Sequence, residues 1–432
     1  MQAFDQQNNR WRFARRTWFL FIVVYFSMLM IDFTSSDELY PHFVYILFRP
    51  YTNFWNWLVP WTGKNILRLR YPITITPNGS GDTTYNYVLQ LLWMVLAMLI
   101  AIVWSLADRK RLSYNQLRYW IRIVLRYYLA LTLFVYGFDK IIKLQFPFPG
   151  LYRLTESYGD SSPMGLAWTF LGYSKGYNFF TGGAEVLAGC LLFFKRTTLF
   201  GALVAMTVMC NVVAMNFAYD IPVKIFSTNL LVLSGWLAWY DIHRIINVFF
   251  LNKPAPSAQL GMPLQTRWKK ILQTSLKIAA IGFAFFATLG SAIKASKEYG
   301  DALPNPFLYG IYDTQVFVNK TDTLPPLATD SLRWKRAIIN YEGYIRIIIQ
   351  NDSIRRMSFK ADTINKTLAF TALNDSTDRF TFRYRMPDKD HLLLEGSIHS
   401  DSISILLKRY DLNKFRLVNR GFNWINEEPF NR

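Results

Sequence analysis

Glu185 sits where a carboxyl group is expensive. It stands in the apolar run FFTGGAEVLAGCLLFF, and an ionisable group in hydrocarbon costs several kcal/mol, so it needs a partner, water or a purpose. Around it, Thr181, Gly182, Gly183, Ala184 and Gly189 are small enough for a neighbouring helix to come close and shield the carboxyl from lipid. With a lysine beside it, such a group can take or give a proton while the cation holds its charge. The same pair can also do no chemistry and simply fix helix register.

Other polar side chains stand within or at the ends of further apolar runs: Asp139 and Lys140, Asn211, Asn216 and Asp220, Lys224 and Asn229. Glu185 falls roughly 10 Å below the start of its helix at about 1.5 Å rise per residue, within reach of Lys140 or Lys224 if those helices adjoin. The expected site is a polar pocket for a quinone headgroup or a small polar substrate. Glu185 and Lys140 are its catalytic candidates, and Asp139, Asn211, Asn216, Asp220, Lys224 and Asn229 its binding candidates.

Seven stretches can position these groups, because a spanning helix needs roughly 20 mostly apolar residues. They are 17–33, 85–106, 121–138, 178–194, 197–217, 225–240 and 271–290. The first is long, bulky and without a small-residue cleavage site, which fits an uncleaved anchor. Orientation follows from the basic clusters. Arg10, Arg12, Arg15 and Arg16, then Arg109 to Arg111 with Arg118 and Arg122, then Lys195 and Arg196, then Arg244 to Lys270, all fall on one side. The positive-inside rule makes that side cytoplasmic, so the chain is expected in a cytoplasmic (inner) membrane with its C-terminal part outside, in the periplasm of a bacterium with two membranes. In this orientation every polar candidate lies in the outer half of the bilayer or at its outer edge. The first outer loop, 34–84, carries Phe54, Trp55, Trp57 and Trp61, rings expected along the headgroup layer.

The net charge of +19 invites nucleic acid, but its distribution does not. Residues 1–290 hold 27 Lys+Arg against 12 Asp+Glu, and residues 291–432 hold 21 against 17. The excess therefore flanks the membrane segments, and no basic stripe with stacking aromatics is present. Cys190 and Cys210 belong to no CxxC pair or metal-spaced cluster; they read as small buried apolar residues, and no metal site is expected.

Residues 126–140, RYYLALTLFVYGFDK, together with 185–196, EVLAGCLLFFKR, and a later helix opening KIFSTNLLVLSGW, resemble the four-helix DoxX-like membrane family. The resemblance covers about 121–250. It implies a first helix ending in Gly plus Lys, here Lys140, and a second opening with Glu, here Glu185. DoxX-like proteins include a membrane subunit of a thiosulfate:quinone oxidoreductase and others tied to redox homeostasis, so the resemblance implies a possible oxidoreductase subunit with a quinone as partner. Two helices before the unit, one after it and an added domain depart from that pattern, and a thiosulfate or haem site is absent. A second resemblance, to the carboxylase-type membrane family, rests only on its pairing of a helical part with a β-rich part.

From 291 onward the pattern changes to alternation with a period of two. In residues 379–385, Phe380, Phe382 and Tyr384 share one face and Thr381, Arg383 and Arg385 the other. Further strands are expected at 344–349, 354–360, 367–371, 391–398, 402–409 and 415–419, with turn residues at roughly ten-residue spacing. This predicts an antiparallel meander or small barrel. Residues 419–427 are expected to cap it or to bind a partner. The division is then 1–120, two helices with a long outer loop; 121–250, the DoxX-like unit; 251–290, a linker and last helix; and 291–432, the β-rich domain. Beside the quinone reading stand a non-enzymatic anchor whose β domain binds an envelope protein, lipid or glycan, and a small-molecule permease.

Overall fold

The computed structural model describes residues 11–31, 42–76, 79–257 and 266–431, with side chains omitted at 42–48. Arg10 of the first basic cluster and residues 32–33 of the first expected span lie outside the described residues. The chain divides into two units, one of 1–145 with 176–294 and the other of 146–175 with 295–432.

The helical unit contains α1 (Phe13–Met30), α2 (His42–Asn65), α3 (Thr84–Ala107) and α4 (Asn115–Ile141). In the barrel unit, α5 (Leu151–Leu154) and α6 (Pro163–Tyr173) come next in the chain. The helical unit resumes with α7 (Lys175–Phe193), α8 (Thr198–Ala218), α9 (Lys224–Trp239), α10 (Ile242–Phe249) and α11 (Arg267–Tyr299). Each of the seven expected spans is a helix, but five, α1, α3, α4, α8 and α11, are long and apolar enough to cross a membrane. The other two are α7, with 19 residues and Glu185 in its apolar stretch, and α9, with only 16. At about 1.5 Å per residue α9 is roughly 24 Å long, less than the roughly 30 Å of a bilayer's hydrocarbon.

Outward faces carry large apolar side chains, among them Leu99 and Val103 of α3, Phe200 and Phe217 of α8, and Phe283 and Phe286 of α11. Such a continuous apolar exterior is what lipid, not water, would solvate. Inside, Phe138 of α4 meets Phe285 of α11 edge to face at 4.9 Å between centroids. Arg16 of α1 is buried and donates to the carbonyls of Ser105, Asp108 and Arg111 at 3.1–3.3 Å, satisfying the last turn of α3 and the loop beyond. Asp82 does the converse for α9: its carboxylate accepts from the backbone N–H groups of Lys224 at 2.6 Å and Ile225 at 3.0 Å, where the helix dipole favours an anion.

Two expectations for this unit are corrected. Much of the first outer loop is helix α2, despite Pro50 and Pro60 within it, and Trp55 is buried against Trp93 (6.3 Å between centroids) while Phe54, Trp57 and Trp61 are exposed. Cys210 is exposed on the outer face of α8, and Cys190 is half-buried, so neither is fully enclosed.

The second unit is a closed antiparallel barrel. Its strands are β1 (Gly310–Asn319), the short β2 (Asp322–Thr323), β3 (Trp334–Tyr341), β4 (Tyr344–Ile349), β5 (Ile354–Asp362), β6 (Thr367–Ala372), β7 (Arg379–Arg385), β8 (His391–Ile398) and β9 (Asp401–Arg409). Neighbours pair in chain order from β3 to β9, β1 pairs with β3, and β1 also pairs with β9, so eight strands close the ring and β2 only extends the β1 hairpin. Closure leaves no open edge among the eight. The interior is filled by side chains, with Phe317, Trp334, Phe370 and Phe382 at 0–1% exposure and rings of Trp334 and Phe382 6.0 Å apart.

Residues 415–419, expected as a strand, instead form a turn and the short α12 (Arg416–Asn419). Phe415 and Leu412 pack on the outside of the barrel with Leu151, Ile311 and Ile338. Here α5 is fastened: Leu151 N–H donates to Asn340 Oδ1 at 2.8 Å, and the Arg346 guanidinium lies 4.1 Å over the Tyr152 ring. Residues 146–175, which the sequence places within the helical part, therefore belong to the barrel unit. The tail leaves Phe422, Trp424 and Ile425 exposed, so these side chains do not plug the barrel.

Candidate functional site

Backbone contact decides which lysine Glu185 meets. α4 and α7 touch through glycine: a Cβ on Gly137 would come 2.9 Å from the Gly182 carbonyl oxygen, and one on Gly189 would come 2.9 Å from the Ala130 carbonyl oxygen. At that spacing Lys140, near the end of α4, donates to Glu185 Oε1. Glu185 is wholly buried and Lys140 nearly so, and Oε2 of Glu185 has no hydrogen-bond partner among the described residues. Asp139 is near enough to feel both charges.

The remaining candidates go elsewhere. Lys224 pairs with Asp220, one turn back across the α8–α9 connection, at 2.9 Å. Asn216 donates to Ser227 Oγ at 2.9 Å and to the Val223 carbonyl at 3.3 Å, tying α8 to α9. Asn211 is exposed on the outer face of α8. The polar groups thus form separate clusters instead of one shared pocket.

Asn229 marks a different site, with two partners that were not singled out from sequence. Tyr25 of α1 donates its hydroxyl to Asn229 Oδ1 at 2.5 Å, and Gln90 of α3 donates to the Tyr25 oxygen. Gln90 and Asn229 also exchange amide contacts at 3.4 Å. Three helices are joined by one small amide and hydroxyl network. Gln90 is recognisable as the one amide inside YVLQLLWMVL, but nothing in the sequence says that it faces α9.

Gln90 and Asn229 line a cleft of about 750 Å³ within the helical unit, walled by Leu89, Trp93, Tyr128 and Phe226 and running along α4 from Ile123 to Tyr136. The thirteen residue steps from Ile123 to Tyr136 correspond to roughly 20 Å. Its size and largely apolar lining with a few convergent polar groups suit a small-molecule site. Glu185 and Lys140 do not line it; Tyr136 does, and it is close enough to Asp139 and Glu185 to feel their charge.

On the barrel, His391 Nδ1 lies 2.8 Å from Asp388, and His399 occupies a left-handed turn position at φ 57°, so the two residues stand at turns on opposite ends of β8. Among the described residues no three His, Cys, Asp or Glu side chains are grouped to hold a metal ion.

Fold and cleft together define a two-part protein, with a bundle of apolar helices and a closed eight-stranded barrel. No family model matches the chain, and no solved structure matches it. Over 137 residues it is 36% identical to a Bacillus subtilis (strain 168) protein named "Uncharacterized protein YwoB", covering 85% of that protein and 31% of this chain. The chain therefore belongs to the YwoB family. That name carries no activity.

Proposed function

We propose that this is a polytopic protein of the cytoplasmic membrane, with α7 and α9 completing seven spans, whose helical unit binds an amphipathic lipid-soluble molecule of the quinone class. One observation carries the reading: a long, mainly apolar cleft beside α4 holds the Gln90–Asn229 amides, a combination that fits a greasy chain with a carbonyl-bearing head. The amides supply donors to quinone oxygens, and the apolar wall takes the isoprenoid chain. The DoxX-like resemblance supplies the redox context. Glu185 and Lys140 then set the register of α4 against α7, and Tyr136 is their nearest link to the cleft.

Mass spectrometry of small molecules extracted from the purified protein tests this. Quinone retained above its ratio to bulk lipid, and lost in Asn229→Leu with the protein still folded, is the expected result. Retention no greater than that of bulk lipid, or unchanged in the variant, would refute it.

A second reading, an anchor that presents the barrel to an envelope partner, is favoured by the filled barrel interior and by the chain's repeated crossing between units, at 145–146, 175–176 and 294–295. Stable co-purification of an envelope component through the barrel, with an empty cleft, would select it.

A further inference from the structure

At the end of the helical unit where α7 meets α8 and α9 meets α10, positive charge is gathered into a hollow of about 60 Å³. Arg122 and Arg126 of α4, Lys195 and Arg196 of the α7–α8 turn and Arg244 of α10 line it, against one lining carboxylate, Asp241. That carboxylate is already shared, 2.8 Å from Arg122 and 3.1 Å from Arg244. Lys277 of α11, lying 4.9 Å over the Phe194 ring, adds a further cation within the field of Arg126 and Lys195.

Arg126 is buried and Arg122, Lys195 and Arg244 are part-buried, and gathering like charges there is costly unless an anion joins them. Two observations point to where it would sit. Arg126 is about 95% buried, directs Nη1 to Thr198 Oγ1 at 3.0 Å, and leaves its Nε–H without a partner among the described residues. Thr198 is also the first residue of α8, whose N-cap Thr197 makes no side-chain cap, so first-turn amides face the same place with the positive end of the helix dipole.

We propose that this hollow binds the phosphate of an anionic phospholipid headgroup. A hollow of about 60 Å³ is several times the roughly 10–15 Å³ that a single water needs in a cavity, enough for a compact oxyanion but not for an acyl chain, which would lie on the apolar exterior. The fork of Arg126 matches a phosphate oxygen pair as an ammonium would not. Basic pockets between helices at a membrane face are suited to such headgroups. This inference does not rest on the quinone reading: the two linings meet at Ile123, but no polar side chain lines both.

The full-length protein in neutral detergent is titrated with phosphatidylglycerol micelles, with phosphatidylcholine micelles and with inorganic phosphate, reading the midpoint of thermal unfolding and bound lipid by native mass spectrometry. Phosphatidylglycerol should raise the midpoint and phosphatidylcholine should not. Arg126→Lys should weaken the response roughly tenfold, as loss of a bidentate contact does. Because Arg126 is buried, the double substitution Lys195→Gln and Arg196→Gln, on a turn where Arg196 is exposed, provides an independent check with the same expected direction. An equal response to inorganic phosphate would identify a free oxyanion as the source and overturn the lipid assignment. No response to any phosphate probe, or responses unchanged in both variants, would overturn the site itself.

Discussion

At the scale of single residues, Glu185 and Lys140 show how a buried pair differs from a site. Substituting Glu185→Gln leaves the Lys140 charge buried without its counter-ion, and an uncompensated buried charge costs about 3–5 kcal/mol. Replacing both, Lys140→Met with Glu185→Leu, removes the charge and the need for it, and should be close to neutral. Detergent-titration unfolding of the three proteins checks this: the single variant should be strongly destabilised and the double one restored. A stable Glu185→Gln protein that no longer retains quinone would instead make the carboxyl part of the binding site. The pairing was half legible from sequence. Small residues around Glu185 announced a close helix, but both lysines were in range by rise alone. Lys224 is excluded by Asp220, four residues before it, which claims its ammonium. Tyr25, in an aromatic-rich helix, reads from sequence as a core residue, and only its hydroxyl on Asn229 marks it as part of a site.

At the scale of elements, alternation made β4 to β9 legible, and its failures explain what was missed. β1 carries a register shift between Thr314 and Val316, which breaks the period of two. β3 is apolar on both faces, Ala337 and Ile339 to the barrel core and Ile338 to the outer cluster with Leu151, so it shows no alternation at all. The turns were legible because aspartates make them. Asp362, Asp375 and Asp388 accept backbone N–H bonds from residues two or three further on, which hold each carboxyl below the usual carboxylate range; a side-chain bond from Thr377 leads for Asp375, and backbone bonds lead for the other two. The unfolded value is about 3.9, so the stabilisation from these depressed groups is fully present above that pH and is lost as pH falls through the lower folded values. Amide exchange at Asn365, Thr377 and His391 should therefore stay slow at pH 5 and quicken, relative to neighbouring strand amides, only as pH is taken well below the unfolded value of about 3.9. Asn at the three positions should remove the extra acid sensitivity; identical acid profiles in wild type and triple variant would defeat this account.

For the whole molecule, the charge asymmetry on which the proposed orientation rests contains residues with other duties. Arg16 is buried and completes the end of α3, and Arg122 is tied to Asp241. The rule counts both as free topogenic charges. What remains is still one-sided: Lys110 and Arg196 stand at the same set of helix ends, opposite the ends that carry Asp82 and Lys224. Seven spans put 295–432 and residues 146–175 outside together, whereas five spans, with α7 and α9 not crossing, must still carry the chain from α4 to α8. In the proposed orientation α4 ends outside and α8 begins inside, beside the basic turn at Lys195, which is why the seven-span proposal has α7 return the chain across the bilayer. The proposal treats α9 between α8 and α10 in the same way, and as a span its shortness would be met by local thinning of the bilayer, at fractions of a kcal/mol per Å of mismatch. Single cysteines in a Cys190→Ala, Cys210→Ser background check the arrangement. A cysteine at Lys389, in the β7–β8 turn, or at Ser161, before α6, should react with a membrane-impermeant maleimide on intact cells. One at Lys110 or Arg196 should react only after permeabilisation. If Ser161 and Lys389 label on opposite sides, the barrel unit could not lie on one face of the membrane, and the seven-span topology would fall with it.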